Sequence, residues 1–95
     1  MKNYIDYELD EFRPWPALAV YVYGEAVVTY NWEGPDPDVG YRGGPYDIEV
    51  ESITINGHRD GSETLAFDDP LYKAIEARLL MSDHVIQSCI DDYES

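Results

Sequence analysis

Apolar and acidic side chains alternate from Tyr4 to Phe12, with Ile5, Tyr7 and Leu9 on one side and Asp6, Glu8 and Asp10 on the other. A period of two predicts a half-buried strand over 4–12. Arg13-Pro14-Trp15-Pro16 ends it, because proline donates no ladder hydrogen bond. Two β-rich runs follow, Ala17 to Tyr23 and Ala26 to Trp32, around Gly24-Glu25. Glycine at the first central position predicts a two-residue type II′ hairpin there. In that register Tyr21, Tyr23, Tyr30 and Trp32 share one face, and Leu18, Val20, Val22, Val27 and Thr29 share the other. The aliphatic face suits a core; the aromatic face suits either further burial or contact with a partner.

Gly34 to Pro45, rich in proline and glycine, predicts a loop. Tyr46 to Asn56 resumes an alternating strand, but Ile48 and Val50 have one parity while Ile53 and Ile55 have the other. One face cannot hold both sets without an extra residue, so a β-bulge or strong twist is expected near Glu51-Ser52. Asn56-Gly57 is a turn signal, and 58–68 is expected to be a polar connection. Asp69-Pro70 then combines a favoured N-cap with a favoured first helical residue. Leu71, Ile75, Leu79, Ile86, Ile90 and Tyr93 continue a helical stripe, interrupted at Ser82. One bent helix and two short ones, the second starting at Asp83, both fit. These elements predict a single α+β domain over 1–95: a small antiparallel sheet of about four strands, with a C-terminal helix packed on one face.

Composition narrows the function. Apolar residues make up 44% of the chain and aromatics 14%, too many for a disordered acidic tail. Lys and Arg number 6 against 20 Asp and Glu, for a net charge of −14. That balance argues against direct nucleic-acid binding and against an anionic membrane surface. Cys89 is the single cysteine, which excludes an intramolecular disulfide and a cysteine-based zinc site and fits a reducing cytoplasm. Residues 1–6 lack the apolar run of a signal peptide, and Ala17 to Tyr23 falls far short of a membrane span.

Catalytic patterns are missing: no HExxH, GxSxG, Walker loop, dinucleotide glycine motif or paired CxxC occurs. His58 falls in a turn, His84 on a helix surface, and Cys89 beside the apolar stripe, where an inert thiol is expected. Asp36-Pro37-Asp38 and Asn56/His58/Asp60 place donors at alternate positions, but Phe67 stands where a calcium loop needs its bidentate glutamate. No enzymatic activity, cofactor or specific metal is therefore expected. The acids themselves are patterned. Asp6/Glu8/Asp10 and Asp47/Glu49/Glu51 form two rows in which successive charges lie about 6.6–6.8 Å apart on a strand. If those strands are neighbours, the rows make an acidic face that can compete with a phosphate backbone for a basic groove. The simpler use of such a face is solubility and protection of a sheet edge.

Tyr46-Asp47-Ile48-Glu49-Val50-Glu51-Ser52-Ile53-Thr54-Ile55-Asn56-Gly57 resembles a segment of small uncharacterised accessory proteins of tailed bacteriophages. In them an acidic strand close to E-V-E-I-E-S-V-x-x-N-G follows a Pro/Gly/Tyr-rich loop and precedes a short acidic helix. Here the chain departs by extending through His84 to Ser95. The resemblance implies a viral protein at work in the bacterial cytoplasm, and small acidic phage proteins often inhibit restriction enzymes, CRISPR complexes, nucleases or polymerase subunits. It carries over no catalytic residues. The expectation is a non-enzymatic inhibitor, a DNA mimic in charge, that binds a basic host protein. Asp6, Glu8, Asp10, Asp47, Glu49 and Glu51 would attract that partner, and Tyr21, Tyr23, Tyr30 and Trp32 would anchor it. The alternative is a structural protein acting as a small homo-oligomer, such as a homodimer.

Overall fold

The computed structural model describes residues 2–36, 38–40, 43–56 and 61–94. Four strands form one antiparallel sheet in chain order: β1 (Asn3–Phe12), β2 (Val22–Glu33), β3 (Gly44–Asn56) and β4 (Ser62–Thr64). Two helices follow, α1 (Pro70–Leu80) and α2 (Asp83–Glu94). This is the expected α+β arrangement with about four strands, but the strands are not the expected four. No hairpin turns at Gly24-Glu25. Residues 22–33 are one continuous strand, and the reversal lies in the segment from Arg13 to Tyr21.

Gly24 is there for a different reason. It sits opposite Leu9 on β1 and Ile55 on β3, and a Cβ at this position would lie 2.1 Å from the Thr54 carbonyl oxygen. Glycine within a strand marks close backbone approach as readily as a turn, and here the approach decides. The true connection is built by its arginine. Arg13 donates to the carbonyls of Pro16 and Leu18 at 2.9 and 3.1 Å, and its guanidinium lies 5.8 Å from the centre of the Tyr21 ring.

The sheet is irregular in three places, each adding one residue to β1 or β3 relative to β2. On β3, Ser52 faces Val27 while Val50 faces Val28, so Glu51 is the extra residue. That is the bulge the change of parity predicts, and it puts Val50 and Ile53 on the same buried side. A second extra residue falls between Tyr46 and Glu49, where Asp47 has φ 50°. The third falls between Leu9 and Phe12, where Glu11 has φ 47°. Both acidic residues occupy left-handed backbone that non-glycine residues rarely adopt.

One face of the sheet carries the core. Ile5, Leu9, Ala26, Val28, Tyr30, Val50 and Ile53 meet Leu65, Tyr72, Ile75, Leu79, Val85 and Cys89 in a single cluster. The helix starts as its cap predicts, with the Asp69 carboxylate accepting from the Leu71 amide at 2.8 Å. The chain then forms two helices rather than one bent helix. The helical stripe is also partly shifted: Tyr72 rather than Leu71 is fully buried, and α2 buries Val85 and Cys89 while Ile86 stays exposed. Within the segment expected to be a plain connection, 62–64 add the short fourth strand, and 57–60 lie outside the described residues. Two hydroxyls fasten the layers together. Tyr72 donates to the Val50 carbonyl at 3.0 Å, and Tyr30 donates to Asp92 at 2.7 Å.

Gly24→Ala is expected to destabilise the domain by about 2–3 kcal/mol, because the blocking atoms are backbone and the two strands must separate. For a domain of this size that lowers the melting temperature by at least about 8 °C. Thermal unfolding followed by circular dichroism measures it, and an unchanged melting temperature would show that β2 and β3 do not approach so closely.

Candidate binding surface

The sheet face opposite the helices is where the strand acids gather. Residues opposite one another in the ladder share a face, so the register places Asp6 beside Val27 and Ser52, and Glu8 beside Glu25 and Thr54. Tyr4 stands likewise beside Thr29 and Glu49. Asp6, Glu8 and Glu25 line one shallow concavity with Thr54, Asn56 and Ser62, floored by Gly24. Glu49 and Glu51 line a second with Lys2, Thr29 and Val50. Glu25 is an addition that the sequence pattern did not single out, since it was assigned to a turn. Its direct opposition to Glu8 is a repulsive pairing.

The two predicted rows belong to one sheet but are not neighbours. β2 runs between β1 and β3, which sets the rows about 9.5 Å apart. They are also displaced along the strands, because Glu49 lies level with Tyr4 and not with Glu8. Asp10 and Asp47 fall in irregular stretches of their strands, so neither continues its row as a flat strand would. Lys2 reaches across β2 to Glu49 at 2.8 Å, and both side chains remain exposed. Its hydrogen bond and charge contact with Glu49 raise the lysine's pKa, with smaller contributions from Asp47 and Glu51. The acidic face is therefore a diagonal band, in which Lys2 is the cation paired with an acid among the described residues.

Of the four proposed aromatic anchors, the structure separates two pairs. Tyr30 is 0% exposed beneath α2, and Trp32 stacks on Tyr93 with ring centroids 4.0 Å apart and planes 6° from parallel. Tyr30 belongs to the interior between β2 and α2 and is withdrawn as a partner anchor, while Trp32 is half-buried and already engaged by the exposed Tyr93. The reason is the absent hairpin: in one continuous strand Ala26, Val28, Tyr30 and Trp32 share the helix-facing parity. Tyr21 and Tyr23 remain exposed. They adjoin Leu18 and Val20, which are also exposed, so the segment leading into β2 forms an apolar arm that ends at Tyr23, on the strand that carries Glu25.

A third concave feature lies at the free edge of β1. Tyr4, Ile5 and Asp6 form one wall and Ser88, Asp91 and Asp92 of α2 the other, enclosing an open groove of about 560 Å³. The last turn of α2 holds acids and no basic residue, although the negative end of the helix dipole disfavours each such charge by about 0.3–1 kcal/mol. Among the described residues no group of three His, Cys, Asp or Glu side chains has metal-binding geometry. The alternating donors of Asp36-Pro37-Asp38 and Asn56/His58/Asp60 depend on Pro37, His58 and Asp60, which lie outside the described residues. No described helix is long and apolar enough to cross a membrane. Comparison with protein-family models, curated proteins and solved structures finds no match for this chain.

Cys89 is buried, as its position beside the stripe suggests. Burial pushes its thiol from the ordinary 9.0 up to about 11, with a smaller contribution from the Asp92 carboxylate. Burial likewise raises Tyr30, reinforced by its hydrogen bond to Asp92, and raises Tyr72. Each of these groups is neutral in its favoured folded form. Their stabilisation is therefore complete below the unfolded pKa and is lost as pH rises through the folded one. The urea midpoint should lose the Cys89 contribution between the thiol's ordinary 9.0 and about 11. Cys89→Ala should lower stability overall but flatten the first part of that alkaline fall, leaving the tyrosines to set its onset. An identical profile in the variant would remove the thiol from the account.

Proposed function

We propose that this chain is a non-enzymatic phage accessory protein of the bacterial cytoplasm that binds and inhibits a basic, nucleic-acid-binding host protein. The observation that carries the reading is the sheet face opposite the helices, on which Asp6, Glu8, Glu25, Glu49 and Glu51 gather with no described element packed over them. Glu8 and Glu25 stand directly opposite one another, a like-charge pairing that weakens the sheet and that solubility alone does not require. The surface presents negative charge to the Lys and Arg groove that would otherwise hold phosphates, and so steers the two proteins together. Tyr21 and Tyr23 provide the apolar contact beside it. The viral origin rests on the resemblance of Tyr46–Gly57 to phage accessory proteins.

The apolar arm favours a second reading, in which Leu18, Val20, Tyr21 and Tyr23 join two copies as a small structural homo-oligomer. Tyr21→Ser tests it by mass in solution, since Tyr21 is free of the core. Trp32→Ser does not, because it breaks the internal stack on Tyr93.

The inhibitory reading is tested by retention of bacterial lysate proteins on the tagged chain, compared with an Asp6→Asn/Glu8→Gln/Glu25→Gln variant. The expected result is one dominant basic protein, held at about 0.1 M salt and released towards about 1 M, as the Debye length falls from about 10 to about 3 Å. The variant should retain it at least about tenfold less, and the wild-type chain should displace nucleic acid from it. A captured protein held equally by the variant at every salt concentration would overturn the reading.

A further inference from the structure

The face that gathers the acids borders an edge strand. Among the described residues β1 has β2 on one side and no strand on the other, and it runs for ten residues. The opposite edge of the sheet is β4, only three residues long. Both helices pack on the sheet face, so the outer side of β1 presents the groove formed with Ser88, Asp91 and Asp92. In an antiparallel sheet alternate residues of an edge strand direct both N–H and C=O outward, where they can template another strand.

We infer that β1 receives an extended, lysine- or arginine-rich segment of the partner protein as a fifth strand. This rests on the inhibitory reading above and states how the contact is made. Charge selects the occupant. An added strand would direct one set of side chains past Asp6 and Glu8 on the open face and the alternate set over Ser88, Asp91 and Asp92 in the groove. Acids on both sides favour a basic segment, and because α2 walls the groove while the other face is open, an alternating peptide has one preferred orientation on the edge. They disfavour a second copy of this chain, because pairing β1 with β1 would bring Asp6, Glu8 and Asp10 against the same residues. Edge pairing supplies main-chain hydrogen bonds that ignore sequence, while flanking acids supply the preference for cations. Charges on an edge thus repel neutral aggregation and admit one class of strand.

The test uses the full chain and a synthetic peptide of about nine residues alternating Lys with Val or Thr, together with two N-methylated versions of it. One version blocks the odd amides and the other blocks the even ones, so that each removes the donors from a single side of the extended peptide. Binding is read by fluorescence anisotropy at about 0.1 M salt. Hydrogen exchange of amides 3–12 locates it. The expected result is that one version binds at least about tenfold more weakly than the other, and that alternate amides of β1 gain exchange protection with the peptide. Equal binding of both versions, or protection confined to β3, overturns the edge contact but leaves the acidic surface as the binding element. No binding of any of the three peptides would overturn the edge contact and the attraction to basic segments together.

Discussion

Everything in this domain depends on β2 lying in the middle of the sheet with its backbone pressed against β3. A strand flanked on both sides satisfies its main-chain groups within the sheet, and its helix-facing side chains can then be wholly apolar. Ala26, Val28 and Tyr30 are completely buried there. The two helices complete the layer with Tyr72, Ile75, Leu79, Val85 and Cys89. The closeness of the strands at Gly24 leaves no room for a side chain. The extra residues in β1 and β3 then adjust these two neighbours to β2, which has none.

The same arrangement explains the division of charge. With one face committed to the helices, the other receives the alternate side chains of β1, β2 and β3, and these include most of the patterned acids. Covering that face would require burying carboxylates, which is costly without paired cations. Lys2 is the described cation that bridges to one of them. A basic surface from another protein would supply more, and would do so without disturbing the core.

Much of this was legible in the sequence, and what was not has identifiable causes. The first strand, the N-cap at Asp69 and the bulge at Glu51 each follow from a local rule: alternation, side-chain capping and a change of parity. The α+β class follows from the order of these elements. The hairpin at Gly24 misled because glycine serves tight turns and close backbone contacts equally well, and only the position of β3 distinguishes them. Once residues 22–33 become one strand, Tyr30 moves from a proposed outer face to the interior and Trp32 to a half-buried stack against α2. The candidate surface was accordingly half legible. Its acids were visible one strand at a time, whereas the insertion of β2 between them and the part played by Glu25 depend on long-range pairing.

The stacking of Trp32 on Tyr93 has an optical consequence. Two aromatic rings held parallel at 4.0 Å give a near-ultraviolet dichroic band that exists only while α2 lies on β2. The helical signal in the far ultraviolet depends on the backbone of α1 and α2, not on where they rest. A compact state with formed helices and loosened packing would therefore lose the first band while keeping the second. This chain carries, in one pair of rings, an internal gauge that separates assembly of its two layers from formation of the helices themselves.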